Sequence, residues 1–265
     1  MGNILDELSQ YARVRVEHDK KKMSLRRLKE ETDKLMSGGA SRESFIFENT
    51  LKKEGLSFIC EVKKASPSKG IIDPEFRYLD IAREYEAAGA DCISCLTEPK
   101  WFLGSDDIFR DIRAAVNTPM IRKDFTVDEY QIYQAKLMGA DAVLLICALL
   151  NEAELKKYLR ICDELGLSAL TETHDEEEFK KAVFCGARLI GVNNRNLKTF
   201  EVDTKNSRRL KEIAPEDVTF VSESGIRGIE DIPPLKAAGV DAVLIGEALM
   251  RAKDKAKLLE AMRRA

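Results

Sequence analysis

Apolar residues in this chain cluster in two alternating rhythms. Short β-rich runs recur, and between them lie stretches with apolar positions at helical spacing. One phrase repeats at intervals of about fifty residues: Gly89-Ala-Asp leads into CISCLTE, Gly139-Ala-Asp into AVLLICA, Gly186-Ala-Arg into LIGVNNR and Gly239-Val-Asp into AVLIGEAL. Each copy sets a helix-ending glycine before an apolar run, which is the αβ half of a βαβ unit. The interval is twice the size of one such unit, so a less similar unit is expected between each pair. The pattern predicts strands near 57–62, 91–97, 119–122, 141–147, 168–172, 188–192, 218–222 and 241–246. Helices are predicted near 79–88, 106–116, 127–138, 151–165, 175–185, 204–213, 229–238 and 253–263. Eight successive βα units close a TIM barrel, whereas an open doubly wound sheet usually stops at five or six strands.

Residues 1–55 read differently. Ile4, Leu5, Leu8, Tyr11 and Val14 have helical spacing, and Ser24 is placed to cap a second helix bearing Leu25, Leu28 and Leu35. Ser37-Gly-Gly-Ala-Ser reads as a break, and a third short helix is expected from about Arg42 to Lys53. So short a segment makes a meagre core alone. It is expected to pack on the barrel as an N-terminal helical extension of a single domain, with 56–265 forming the eight βα units.

The length of 265 residues suits one barrel of roughly 250 with that extension. Charged residues make up 34%, but the signs nearly cancel at −3, so bulk charge does not point to nucleic acid or an anionic membrane surface. No apolar run approaches the ~18 residues of a membrane span. Cys92 and Cys95 are spaced C-x-x-C, but residues three apart in a strand face opposite sides. Buried, reduced thiols in a cytoplasmic protein are therefore expected rather than a metal or redox pair.

A barrel's chemistry sits at the C-terminal ends of its strands. Those ends read Glu61-Val-Lys63, Thr97-Glu98, Arg122-Lys123-Asp124-Phe125, Glu172, Asn193-Asn194-Arg195, Ser222-Glu223-Ser224-Gly225 and Gly246-Glu247. Glu61 and Lys63 leave one face of their strand. With Lys123 and Glu172 they make a dense cluster of both signs, suited to acid–base chemistry on a bound anion. A structural ion-pair network is the plain alternative. Gly225 and Gly246 stand where barrels often hold phosphate, after strands 7 and 8; tight turns alone would also account for them. Trp101, Phe102 and Phe125 either line a pocket for a flat ring or pack on their own helices. His174 reads as a capping or surface residue. The stretch KASPSKGIIDPEF after strand 1 reads as a mobile lid.

The segments FICEVKKASPSKG, CLTEPKWFLGS, IRKDF, LIGVNNRNLKTF, VSESGI and LIGEALMR together resemble the indole-3-glycerol phosphate synthase family, over nearly the whole chain. The resemblance implies a cytoplasmic lyase of tryptophan biosynthesis. It would close the indole ring of 1-(2-carboxyphenylamino)-1-deoxyribulose 5-phosphate, losing carbon dioxide and water, with no metal or organic cofactor. It implies Lys123 as general acid, Glu172 as general base, Lys63 on the anionic substrate and Glu61 tuning the lysines. Asn193 and Arg195 would position the substrate and Ser224 its reacting region. Ser66, Gly225, Gly246 and Glu247 would complete the substrate and phosphate site, with Phe102 and Phe125 flanking the ring. The small phosphorylated substrate is the expected partner, and the chain is expected to be a monomer or at most a weak dimer. Thr171 and Thr173 stand where the family usually has apolar residues, and should face the helices rather than the site. A sugar-phosphate isomerase would favour Cys or Asp at the strand ends, and a purely binding barrel would not need both Lys123 and Glu172.

Overall fold

The computed structural model describes residues 4–39, 42–196 and 199–265. Ala40 and Ser41 of the predicted break, and Leu197 and Lys198 of the NNRNLKTF segment, lie outside the described residues. Eight parallel strands close into a barrel: β1 (Ser57–Val62), β2 (Cys92–Leu96), β3 (Met120–Lys123), β4 (Ala142–Ile146), β5 (Ser168–Thr173), β6 (Leu189–Asn193), β7 (Thr219–Glu223) and β8 (Ala242–Ile245). β1 pairs with both β2 and β8, so no edge remains open. The chain is a (β/α)8 TIM barrel. No helix among the described residues is long and apolar enough to cross a membrane.

The repeated glycine phrase has a direct structural cause. Gly89, Gly139, Gly186 and Gly239 all take positive φ, between 74° and 88°. At each, the glycine N–H donates to the carbonyl three residues back and the next N–H to the one five back, as in Gly89→Glu86 and Ala90→Tyr85. This is the left-handed helix stop that only glycine enters without strain. Gly166, at φ 63°, makes a fifth stop of the same kind before β5. The aspartates of the phrase then tie strands together. Asp91, Asp141 and Asp241 accept the backbone N–H of Phe58, Met120 and Phe220, each at 2.8 Å. In the third copy Arg188 instead pairs with Glu48 and Asp163.

Strand parity divides the core. Ile59, Cys92, Ile121, Leu144, Leu170, Leu189, Val221 and Leu244 fill the barrel interior. Phe58, Cys95, Val143, Ile190, Phe220 and Ile245 face the helices. Cys92 and Cys95 thus lie on opposite sides of β2, and both are buried free thiols.

The helices are α1 (Ile4–Lys22), α2 (Leu25–Ser37), α3 (Ile46–Leu51), α4 (Tyr78–Ala87), α5 (Asp106–Ala115), α6 (Glu129–Leu137), α7 (Glu152–Glu164), α8 (Glu176–Phe184), α9 (Lys205–Lys211), α10 (Ile232–Ala237), α11 (Glu247–Arg251) and α12 (Lys255–Arg264). Ser24 caps α2, accepting from Arg27 N. Three places differ from the sequence pattern. The third helix is shorter, α3 alone. The helix expected at 229–238 opens as a 3-10 turn, Ile229–Asp231, because Pro233 and Pro234 fit only the first turn of the α-helix that follows. The final helix is preceded by α11, and Asp254 caps α12 after the break. The strand-1 loop carries a small hairpin, Ala65–Ser66 against Gly70–Ile71.

Candidate active site

Four alternate barrel strands, β1, β3, β5 and β7, continue their inward parity from an apolar residue to a charged one. Ile59 is followed two residues on by Glu61, Ile121 by Lys123, Leu170 by Glu172 and Val221 by Glu223. The interior therefore changes from oily to charged at the C-terminal end, in one layer. Above that layer lies a cavity of about 840 Å³. Every residue that the family resemblance implies for the site lines it: Glu61, Lys63, Ser66, Phe102, Lys123, Phe125, Glu172, Asn193, Arg195, Ser224, Gly225, Gly246 and Glu247. Trp101 does not. It turns aside to stack edge-on with Tyr11 at 5.7 Å and to receive the Lys100 ammonium over its ring. It thus takes neither place the sequence offered, the pocket or its own helix, but packs on α1. Leu5 and Leu8 of α1 also wall the cavity, so the extension contributes to it directly.

Lys123 stands at the centre. Its Nζ lies 2.5 Å from Glu223 Oε2 and 3.8 Å from Glu172 Oε2. Burial disfavours its charge, but Glu223, Glu172 and Glu61 outweigh burial and hold it protonated well beyond the ordinary range. Glu172 is also buried, yet the His174 contact, the Lys123 charge and the Asn193 hydrogen bond keep it ionised, with its pKa down at about 2. The Asn193 amide donates to Glu172 Oε1 at 3.1 Å. Glu61 is bonded to the Lys63 ammonium, and the Lys63 and Lys123 charges overcome its burial to hold its pKa low.

Glu223 behaves oppositely. Burial, together with the Glu172 and Glu61 charges, pushes it up to about 7 despite Lys123. Its Oε1 is buried without a hydrogen-bond partner among the described residues. A Cβ on Gly191 would occupy that oxygen's place, and one on Gly246 would collide with Glu61 and Lys63. These glycines make room for the carboxylates. The sequence shows Glu223 at a strand end, and its inward parity after Val221 is the signal that marks it; the closed barrel then sets it across from Lys123.

The rest of the mouth is ordered by hydrogen bonds. Arg195 donates its N–H to Asn193 Oδ1 at 3.0 Å and its guanidinium to the Phe200 carbonyl at 3.2 Å. Asn194 turns away from the cavity and binds Ser222 Oγ and the Ser224 carbonyl. Ser224 and Gly225 both take positive φ, 67° and 86°, which forms a sharp bend at the end of β7. Gly246 opens α11 at the end of β8. Phe102 and Phe125 face each other across 6.1 Å. The Glu98 carboxylate holds the loop bearing Phe102, accepting the N–H groups of Lys100, Trp101 and Phe102. Thr171 and Thr173 are buried beside Glu172, and Thr173 binds the Gly191 carbonyl. The described residues contain no His, Cys and carboxylate group fit to hold a metal ion.

The family model for indole-3-glycerol phosphate synthase matches residues 5–262. An indole-3-glycerol phosphate synthase from Ruminiclostridium cellulolyticum is 55% identical over 260 residues, covering 98% of each chain. One from Lachnoclostridium phytofermentans is 48% identical, covering 95% of this chain and 96% of its own. Among solved structures, a tryptophan synthase α subunit from Legionella pneumophila superposes with a TM-score of 0.61 at 16% identity, over 84% of this chain and 98% of its own. At that identity the likeness speaks for the barrel alone.

Proposed function

The chain belongs to the indole-3-glycerol phosphate synthase family, carboxy-lyases of tryptophan biosynthesis, and we propose that Lys123 and Glu172 are its general acid and base. The observation that carries this reading is the central ammonium: Lys123 sits within 3.8 Å of an ionised Glu172, facing a cavity large enough for the substrate. As the ring carbon attacks the carbonyl, the oxygen gains charge, and a protonated lysine supplies the proton. Carbon dioxide then leaves, and in the dehydration a general acid gives the departing hydroxyl the proton it needs to leave as water while Glu172 takes the proton that the ring gives up. Lys63 supplies positive charge for the carboxylate and phosphate of the substrate, with Glu61 fixing its place. Asn193 orients Glu172, while Arg195 and Ser224 orient the substrate.

Phosphate is proposed to bind at Ser66, Gly225, Gly246 and Glu247, with backbone N–H groups as donors. At Glu247 the donor would be the main chain, since its carboxylate would repel the anion. Phe102 and Phe125 would take the aromatic ring. We infer a monomer acting in the cytoplasm; the buried free thiols fit a reducing compartment.

Mixing the protein with 1-(2-carboxyphenylamino)-1-deoxyribulose 5-phosphate and following indole fluorescence tests the assignment. Product should form with the wild type and be largely lost in Lys123→Ala and Glu172→Gln. Undiminished turnover in either folded variant would remove that residue from its role.

A further inference from the structure

His174 follows the site by two residues in sequence and touches its base, yet the acid–base scheme above leaves it unused. Its Nε2 stands 3.2 Å from Glu172 Oε1, with the N–H not aligned along that contact. Its Nδ1 lies 3.0 Å from Glu178 Oε2, and the same carboxylate oxygen accepts the His174 backbone N–H at 2.9 Å. Glu178 is itself fixed at the start of α8, where its N–H donates to the capping Asp175 at 2.9 Å. The His174 carbonyl accepts the Asn206 amide of α9 at 3.0 Å. The main chain is thus gripped on both sides and the ring at one nitrogen, so the other nitrogen is delivered to Glu172. Mere capping would need the carboxylate of Glu178 but no imidazole pointing into the site.

We propose that His174, anchored by Glu178, is a positioning residue for Glu172: it engages Oε1 and leaves Oε2 as the oxygen that faces Lys123 and receives the proton. The inference rests on the reading of Glu172 as the base. With a carboxylate at each nitrogen the ring is an imidazolium, and both of its nitrogens carry a proton. Burial opposes that charge, but Glu172 and Glu178 raise the ring's pKa to about 10. The groups facing Glu172 from the other strands are Lys123 on β3, Glu223 on β7, Glu61 on β1 and Asn193 on β6. Lys63 lies beside Glu61. Without His174, Lys123 is the one cation in contact with Glu172 among the described residues, opposed by two carboxylates. Such contacts are often poorly aligned without substrate and tighten when it binds.

The test is the pH dependence of single-turnover indole formation in His174→Gln and Glu178→Gln, with Glu172→Gln as reference and circular dichroism at each pH to verify folding. His174→Gln should lower the rate about 10–100-fold at neutral pH with KM little changed. Its acid limb should rise about 1–3 pH units above that of the wild type. Glu178→Gln should move the limb the same way by less. A rate loss without a shift of the limb, or rates within about twofold of wild type while Glu172→Gln is inactive, would overturn the positioning role alone. Normal turnover in Glu172→Gln would instead overturn the base assignment, and this inference with it. Should His174→Gln not fold, Glu178→Gln decides: an unmoved limb there overturns the proposal.

Discussion

The two ends of the barrel carry the same kinds of charge and use them in opposite ways. At the N-terminal end each aspartate of the repeated phrase is held by a strand N–H and at least one cation. Asp141 accepts from Met120 N, from Arg42 at 2.5 Å and from Arg113 at 3.1 Å. Asp91 binds Phe58 N, Arg263 and Lys53, and Asp241 binds Phe220 N and Lys211. At the C-terminal end the charges crowd a cavity and are incompletely paired: among the described residues Glu223 Oε1 lacks a partner, and His174 Nε2 is misaligned. Three carboxylates there compete for Lys123. Saturated charges hold strands in register, whereas unsaturated ones keep protons and partners to exchange. Burial alone does not separate the two, because Asp141 at the N-terminal end is as buried as the carboxylates of the mouth.

The sharpest break in that comparison comes from Lys123→Ala. The loss of a general acid should lower kcat about 10²–10⁴-fold, measured by indole fluorescence. Next is Asp141→Asn at the opposite end. It removes the charged partner of the largely buried Arg113, leaving it only the Thr118 and Val116 carbonyls, and should cost about 3–5 kcal/mol of stability in urea unfolding, with kcat of the folded fraction unchanged. Activity lost there in proportion to Lys123→Ala would erase the distinction between the ends.

A subtler effect concerns pH. His174 has a pKa raised from 6.5 to about 10, so folding tightens its hold on the proton. Its contribution to stability is fully present below pH 6.5 and disappears as pH rises through 10. His174→Gln should therefore flatten the decline of the urea midpoint across that window, although Glu172 and His174 titrate as a pair. The smallest effect is expected for Lys211→Ala. Its pair with Asp241 is partly exposed, and loss should cost under about 1 kcal/mol.

Much of the barrel was legible because its causes are local. A left-handed stop demands glycine, a strand buried on both faces demands a continuous apolar run, and parity puts Glu61 and Lys63 on one side. The short α11 was less legible, since its five residues, Glu247–Arg251, make little more than one helical turn. Trp101 was ambiguous for a different reason: its place depends on Tyr11, ninety residues earlier in the chain. His174 looked like a capping residue because the sequence records its neighbours on α8 and not the direction of its second nitrogen.

The order of residues alone thus determined the eightfold alternation, the interior-facing positions and, through motif resemblance, the family and the lysine and glutamate expected to act. Closure of the barrel decided the rest. It set Glu223 of β7 beside Lys123 of β3, brought α1 over the mouth, and turned His174 toward Glu172. Those are long-range relations, and the electrostatics of a buried group depend on every charge within a few ångströms, whichever strand supplies it.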